Sequence, residues 1–130
     1  MSTKYLTFIV AHEDLARALS ESVQRIIGQV ENVYTFSNKK DGLPLIVEKI
    51  GKHIEHSHAE NLVCFTDLMG GSCWTVANMV KKIYPRLIVV SGVNLPMLIT
   101  YFNNMLTMDF SELITKTTND GCRGIQTKSD

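Results

Sequence analysis

Apolar residues along this chain fall into two kinds of pattern, short continuous runs and helical repeats, and their alternation predicts the architecture. Tyr5–Val10 (YLTFIV) is rich in β-branched and aromatic residues and predicts a first strand. Leu15, Ala18, Leu19, Val23, Ile26 and Ile27 follow at helical spacing, and Gly28 closes that helix. NVYTFS predicts a second short strand, KKDG a turn, and Pro44 lies near the start of a helix with Ile46, Val47, Ile50 and Ile54 on one face. NLVCFTD and RLIVVSG are uninterrupted apolar runs of the kind found in buried parallel strands, and a helix from about Gly71 to Tyr84 lies between them. Pro96 starts a further helix with Leu98, Tyr101, Phe102, Met105 and Leu106. Asp109 with Glu112 resembles a capping box opening a last helix that ends near Gly121. The tail CRGIQTKS alternates weakly and reads as an edge strand. No linker, repeat or low-complexity segment interrupts this order. The architecture it predicts is one α/β domain over residues 1–130, a doubly wound, mostly parallel sheet of four strands with helices on both faces.

Composition narrows what such a domain does. A chain of 130 residues buries about two-thirds of the surface its unfolded form exposes, enough for an independent core. Thirteen basic and thirteen acidic residues cancel, and no basic stretch supplies the footprint of a nucleic-acid or anionic-membrane binder. The expected partner is a protein or a small molecule. The first apolar run is too short to span a bilayer, and AHED ends it with charges where a leader would have a cleavage site, which places the chain in the cytosol. Cys64, Cys73 and Cys122 are odd in number and form no CxxC pair, which argues against disulfides and against a thiolate zinc site. No metal or other cofactor is expected.

Chemistry in doubly wound sheets sits beyond the carboxyl ends of the strands, where successive connections go to opposite faces. His12 follows the first strand, Asp67 and then LMGGS follow the third, and SGVNLPM follows the fourth. If the first strand lies beside the third, His12 and Asp67 emerge side by side. A carboxylate holding the Nδ1 proton of an imidazole presents Nε2 as a lone pair fixed in direction, as a nucleophile or general base requires. The glycines permit close backbone approach, and a helix starting near Ser72 offers unpaired N–H groups to an anion. The combination suits a phosphoryl group on histidine. The bland alternatives are a histidine satisfying a backbone carbonyl, and Asp67 or Ser72 acting only as helix caps. His53, His56 and His58 in HIEHSH suit the C-terminal end of a helix dipole better than a metal. Trp74, Met79, Met97 and Met105 read as packing residues. Leu68 and Met69, in the turn itself, are candidates for an apolar surface that receives a partner protein.

VAHEDLARAL, FTDLMGGSCWTVAN and SGVNLPML resemble, in order, the three signature stretches of the mannose-family enzyme IIA of the bacterial phosphoenolpyruvate-dependent sugar phosphotransferase system. The resemblance covers nearly the whole chain. It implies a phosphotransferase component that accepts phosphate from the phosphohistidine of HPr and passes it to a IIB component for sugar uptake. It further implies His12 as acceptor, Asp67 as its supporting carboxylate, and Gly70, Gly71 and Ser72 as the frame of the phosphate. A homodimer is also implied, in which the C-terminal strand crosses to the neighbouring subunit, antiparallel to the sheet. Two positions depart from the pattern. Glu13 stands where glycine is common, and its carboxylate would repel an incoming phosphoryl group unless it points outward. Cys73 stands where proline is common and still permits a helix start. A regulatory IIA-like phospho-sensor not coupled to transport is the main alternative. A receiver-like domain phosphorylated on Asp67 lacks the lysine that a fifth parallel strand would supply.

Overall fold

Residues 4–130 are described by the computed structural model. Four strands and five helices follow one another in the order β1 (Tyr5–Ala11), α1 (Leu15–Ile27), β2 (Val33–Ser37), α2 (Leu43–His56), β3 (Asn61–Thr66), α3 (Ser72–Ile83), β4 (Ile88–Val90), α4 (Leu95–Asn104) and α5 (Phe110–Arg123). The sheet order is β2-β1-β3-β4 and every pairing is parallel. β1 is buried along its whole length, as the continuous apolar run requires of a strand covered on both faces. Its alternate side chains serve two cores. Leu6, Phe8 and Val10 pack with Ile46, Ile50 and Ile54 of α2 and with Val76, Ala77 and Val80 of α3. Tyr5, Ile9 and Ala11 pack on the other face with α1, α4 and α5, through Val23, Leu98, Tyr101, Phe102 and Leu113. Thr7, a polar residue in the central strand, shares a hydrogen bond of 2.7 Å with the buried Tyr101 hydroxyl, so neither group is left unpaired.

This topology creates the crevice. The chain leaves β1 through α1 on one face toward β2, and leaves β3 through α3 on the opposite face toward β4. The last β1–β3 pair in register is Val10 with Thr66. His12 and Asp67 therefore stand one residue beyond the ends of neighbouring strands, at the switch point. The loop after β4 is tied to the same end, where the Val93 N–H donates to the Thr66 carbonyl at 3.0 Å.

Several sequence expectations change in detail. The buried face of α1 is Ala16, Ser20 and Val23, while Leu15 and Ile26 are exposed. Small residues let this helix close on its neighbours, so the larger apolar side chains lie at the margin. RLIVVSG contributes only Ile88–Val90 to the sheet, because the chain turns at Gly92. Asp109 precedes α5 as expected but its side chain makes no capping bond. α5 runs through Gly121 to Arg123. Cys122 and Arg123 therefore belong to the helix, and residues 124–130 are exposed and form no strand within the chain. That polar tail buries nothing where it lies, and a strand needs a free sheet edge to pair with.

Gly121 is buried because α4 and α5 meet there. A Cβ added at this position would stand 3.0 Å from Met97 Cε and 3.2 Å from Met97 Cβ. Gly121→Val is expected to destabilise the fold by about 1–3 kcal/mol through overpacking. Urea denaturation checks this, and an unchanged midpoint would show that Met97 swings aside freely.

Candidate active site

Asp67 is the fixed point of the crevice. Its Oδ2 accepts the backbone N–H of His12 at 2.8 Å and lies 2.7 Å from His12 Nδ1, while Oδ1 accepts the Leu68 N–H at 2.9 Å. The side chain is only 8% exposed, whereas that of His12 is 42% exposed. Burial by itself pushes the Asp67 pKa up. The His12 backbone N–H, the bond to the ring, the attraction of the ring's charge and the Leu68 N–H together outweigh burial and hold it below the ordinary value. An ionised carboxylate only accepts hydrogen bonds, so the 2.7 Å contact requires the proton on Nδ1. In the neutral ring Nε2 is then the nitrogen that carries the lone pair, on an imidazole that is partly exposed.

The turn between β3 and α3 wraps this ring. Gly70 has φ +88°, a left-handed conformation that costs glycine nothing. Gly71 lies close to the ring, since an added Cβ would stand 3.2 Å from Leu68 Cδ1 and 3.4 Å from His12 Cε1. Ser72 opens α3, and its Oγ lies 3.4 Å from His12 Nε2. The N–H groups of the first helical turn thus begin beside the ring. Leu68 and Met69 are exposed on the same turn, 52% and 70% respectively.

The structure brings in two residues that sequence reasoning assigns no role. Cys73, read there only as a tolerable helix start, places Sγ 3.8 Å from His12 Nδ1. Burial, and next the negative charge of Asp67, push this thiol up to about 11, against the opposing bond from Ser72. Cys64 is pushed up to about 12, by burial and then by Cys73. Asn38 is the other addition. Its Oδ1 accepts the Glu13 N–H at 3.3 Å and its Nδ2 donates to Ser72 Oγ at 3.4 Å, linking both sides of the crevice. The available signal for Asn38 was its place just past the end of β2, a strand parallel to and beside β1.

Glu13 explains its own departure. It adopts φ 51°, the region where glycine is at ease and a side chain costs about 1–2 kcal/mol. Its carboxylate points outward, 73% exposed and 3.2 Å from Lys39 Nζ. The third stretch, SGVNLPML, turns out to be structural. Asn94 caps α4 by accepting the Met97 N–H at 3.0 Å, and its Nδ2 donates to the Gly92 and Gly121 carbonyls. His53 stacks on Tyr34 with centroids 3.8 Å apart, and His56 Nδ1 bonds the Lys52 carbonyl at 2.7 Å, so these histidines serve α2 and its neighbours.

A doubly wound parallel sheet with a carboxylate-oriented histidine at its switch point has the form of a phosphoryl carrier, and comparison with known proteins supplies the family. The profile of the family described as PTS system fructose IIA component, EIIA-man, matches residues 7–118. The chain is 30% identical over 108 residues to the PTS system sorbose-specific EIIA component of Lacticaseibacillus casei, covering 82% of this chain and 78% of that protein. A mannose/sorbose-specific IIA subunit from Enterococcus faecalis superposes with a TM-score of 0.77 at 25% identity, covering 98% of this chain and 97% of that one. A phosphotransferase system EIIA component from Streptococcus agalactiae shares the fold, with a TM-score of 0.85 at 21% identity and 95% and 96% coverage. The chain belongs to the EIIA-man family and is a IIA-type phosphotransferase component of the phosphoenolpyruvate-dependent sugar system. Among the described residues no helix is long and apolar enough to cross a membrane.

The lowered Asp67 pKa has a consequence for stability. The unfolded chain binds this proton more tightly than the folded one. The contribution of the ionised carboxylate is therefore complete above the ordinary value of about 4 and is lost as pH falls through the lowered folded value. The difference in urea midpoint between wild type and Asp67→Asn is expected to be larger near pH 7 than near pH 3. A difference that does not change with pH would show that ionisation of Asp67 does not support the fold.

Proposed function

We propose that His12 Nε2 takes the phosphoryl group from phospho-HPr and passes it to a IIB component. The observation that carries this reading is the 2.7 Å contact between Nδ1 and an ionised, nearly buried carboxylate, which in the neutral ring places the lone pair on Nε2 of a partly exposed side chain. In the transfer, the Nε2 lone pair forms a bond to phosphorus while the phosphorus–nitrogen bond of the donor histidine breaks and the donor imidazole leaves with that electron pair. No proton has to move through a general base. Positive charge grows on the His12 ring, and Asp67 offsets it at short range without reorganisation. Gly70, Gly71 and Ser72 hold the phosphoryl oxygens, with the N–H groups at the start of α3 and its dipole supplying the charge stabilisation that Mg²⁺ gives in nucleotide sites. Leu68 and Met69 form an apolar rim for the incoming protein. The outward ion pair of Glu13 with Lys39 supports transfer at an ordinary rate, since the carboxylate is turned away from the phosphoryl path.

Asp67 is not read as the acceptor. Its two oxygens already receive three protein donors, which leaves it poorly placed to attack phosphorus. Residues 1–130 act in this reading as a single cytosolic domain in a homodimer. The polar tail, free of any edge in its own chain, pairs antiparallel with the sheet of a second copy.

The decisive experiment incubates the protein with phosphoenolpyruvate, enzyme I and HPr without divalent metal beyond what enzyme I needs, and maps the label. The label is expected on His12, labile in acid and stable in alkali as a phosphoramidate is. It should vanish in His12→Ala and survive replacement of His53, His56 and His58 together. A hydroxylamine-sensitive label on Asp67 overturns the assignment. Asp67→Asn is expected to keep the fold but slow transfer by roughly 100-fold or more, because an amide neither enforces the tautomer nor balances the ring's charge. Unchanged rapid-quench rates would remove Asp67 from the mechanism.

Truncation after Arg123, which leaves α5 whole, tests the assembly. Loss of the tail should yield monomers or aggregates in sedimentation, whereas a well-folded dimer would place the interface elsewhere.

A further inference from the structure

We propose that His12, Asp67 and Cys73 form a binding site for a thiophilic divalent cation of the zinc type, and that its occupancy switches off His12 as a phosphoryl acceptor. The second half rests on the reading of His12 as acceptor, and the first does not. One donor atom from each of the three side chains lies within 4.8 Å of the others. The donors are an imidazole nitrogen, a carboxylate oxygen and a thiol sulfur, the three ligand types that zinc combines. Nδ1 is 2.7 Å from Asp67 Oδ2 and 3.8 Å from Cys73 Sγ. Around a tetrahedral ion with bonds of about 2.0–2.3 Å, such donors stand roughly 3.3–3.6 Å apart. The ring and the carboxylate therefore part by about half an ångström, and the sulfur, 3.8 Å from the ring nitrogen and within 4.8 Å of the carboxylate oxygen, closes toward both.

Charge and access agree with the distances. A thiolate and a carboxylate together neutralise a divalent ion, and the sulfur selects against magnesium and calcium. Cys73 is 1% exposed and backs the site, while the half-exposed His12 leaves one side open for entry and for a fourth, solvent ligand. The Leu68 N–H on Asp67 Oδ1 stays available to orient the carboxylate from the outer shell. A proline at position 73, common in the family that the sequence resembles, could supply no donor, so the site belongs to chains with this departure.

Inhibition follows from the tautomer. In the metal-free site the neutral imidazole carries its proton on Nδ1, against Asp67, and its lone pair on Nε2. A neutral imidazole that binds the ion through Nδ1 carries its single proton on Nε2 instead, where it blocks bond formation to phosphorus. The thiol gives up its proton to solvent, so one proton is released for each ion bound. The ion adds no step to transfer; it occupies the nitrogen that Asp67 otherwise controls.

The test uses the full chain, reduced and freed of metal by a chelator. Titration with Co²⁺ is expected to give thiolate-to-metal charge transfer in the near ultraviolet and the strong visible bands of a four-coordinate ion, saturating at one equivalent and displaced by Zn²⁺. The bands should persist in Cys122→Ser, whose thiol is exposed on α5. In Cys73→Ser the charge-transfer band should disappear and Zn²⁺ binding weaken by more than the roughly 10- to 100-fold that loss of an outer partner costs a metal site. Serine suits the first turn of a helix, and circular dichroism verifies that this variant folds. His12→Gln provides a second variant, in which binding should weaken to a similar degree. Absence of the thiolate band in wild type under excess Co²⁺, or its persistence in Cys73→Ser, overturns the site. Transfer from phospho-HPr should then be inhibited by Zn²⁺, restored by chelator, and lose that sensitivity in Cys73→Ser. Bound metal with undiminished transfer overturns the inhibitory half alone. A metal-free chain that never takes a label on His12 overturns the acceptor reading, and the cobalt spectrum is judged independently of it.

Discussion

The hydrogen bond between a buried, ionised Asp67 and Nδ1 of His12 determines what the rest of the crevice can do. Because that carboxylate accepts and never donates, it decides where the imidazole proton sits. A solvent-facing histidine alone would exchange tautomers freely and present either nitrogen. The two further donors on Asp67, the backbone N–H groups of His12 and Leu68, keep it ionised despite its burial. They also lock the two strand ends together, so the chemistry of the ring and the geometry of the loops rest on the same oxygens.

That contact depends in turn on the sheet order. β1 and β3 are neighbours although α1, β2 and α2 separate them in the chain, and a residue pair 55 positions apart meets at their ends. The two cores on either side of β1 hold the strands at that spacing. The glycine turn then folds α3 back over the ring, and a Cβ at Gly71 would press on the Leu68 side chain and touch His12 Cε1. Packing far from the site thus sets ångström-scale distances within it.

The same compactness explains why one residue can bring a second chemistry. Cys73 follows Ser72 into the first turn of α3, so the hydroxyl that lies 3.4 Å from Nε2 and the thiol that approaches Nδ1 are on consecutive residues. One nitrogen of the ring faces the Ser72 hydroxyl and the other meets a thiol and a carboxylate. A histidine has only two nitrogens, and a ligand on either one dictates the protonation of the other. An ion and a phosphoryl group therefore compete without touching the same atom.

Much of this was legible in the sequence. The change between continuous apolar runs and helical repeats located every strand and helix of the described chain, because periodicity is a local property that survives folding. Placing functional residues after strand ends singled out His12 and Asp67, and the glycines between Asp67 and Ser72 announced a close approach. Other features needed the tertiary structure. The face that α1 buries was decided by Ala16 and Ser20, small enough to let the helix close on its neighbours, and hydrophobicity alone pointed to Leu15 and Ile26 instead. Gly121 reads as a helix terminator but is a contact between α4 and α5, set by Met97 more than twenty residues earlier. Asn38 reaches Glu13 and Ser72, and the thiol of Cys73 reaches the imidazole, only because the sheet order brings β2, β1 and β3 side by side. Local pattern tells which residues leave the ends of strands; which of them meet is decided by packing between elements distant in the chain, and no local pattern encodes that distance.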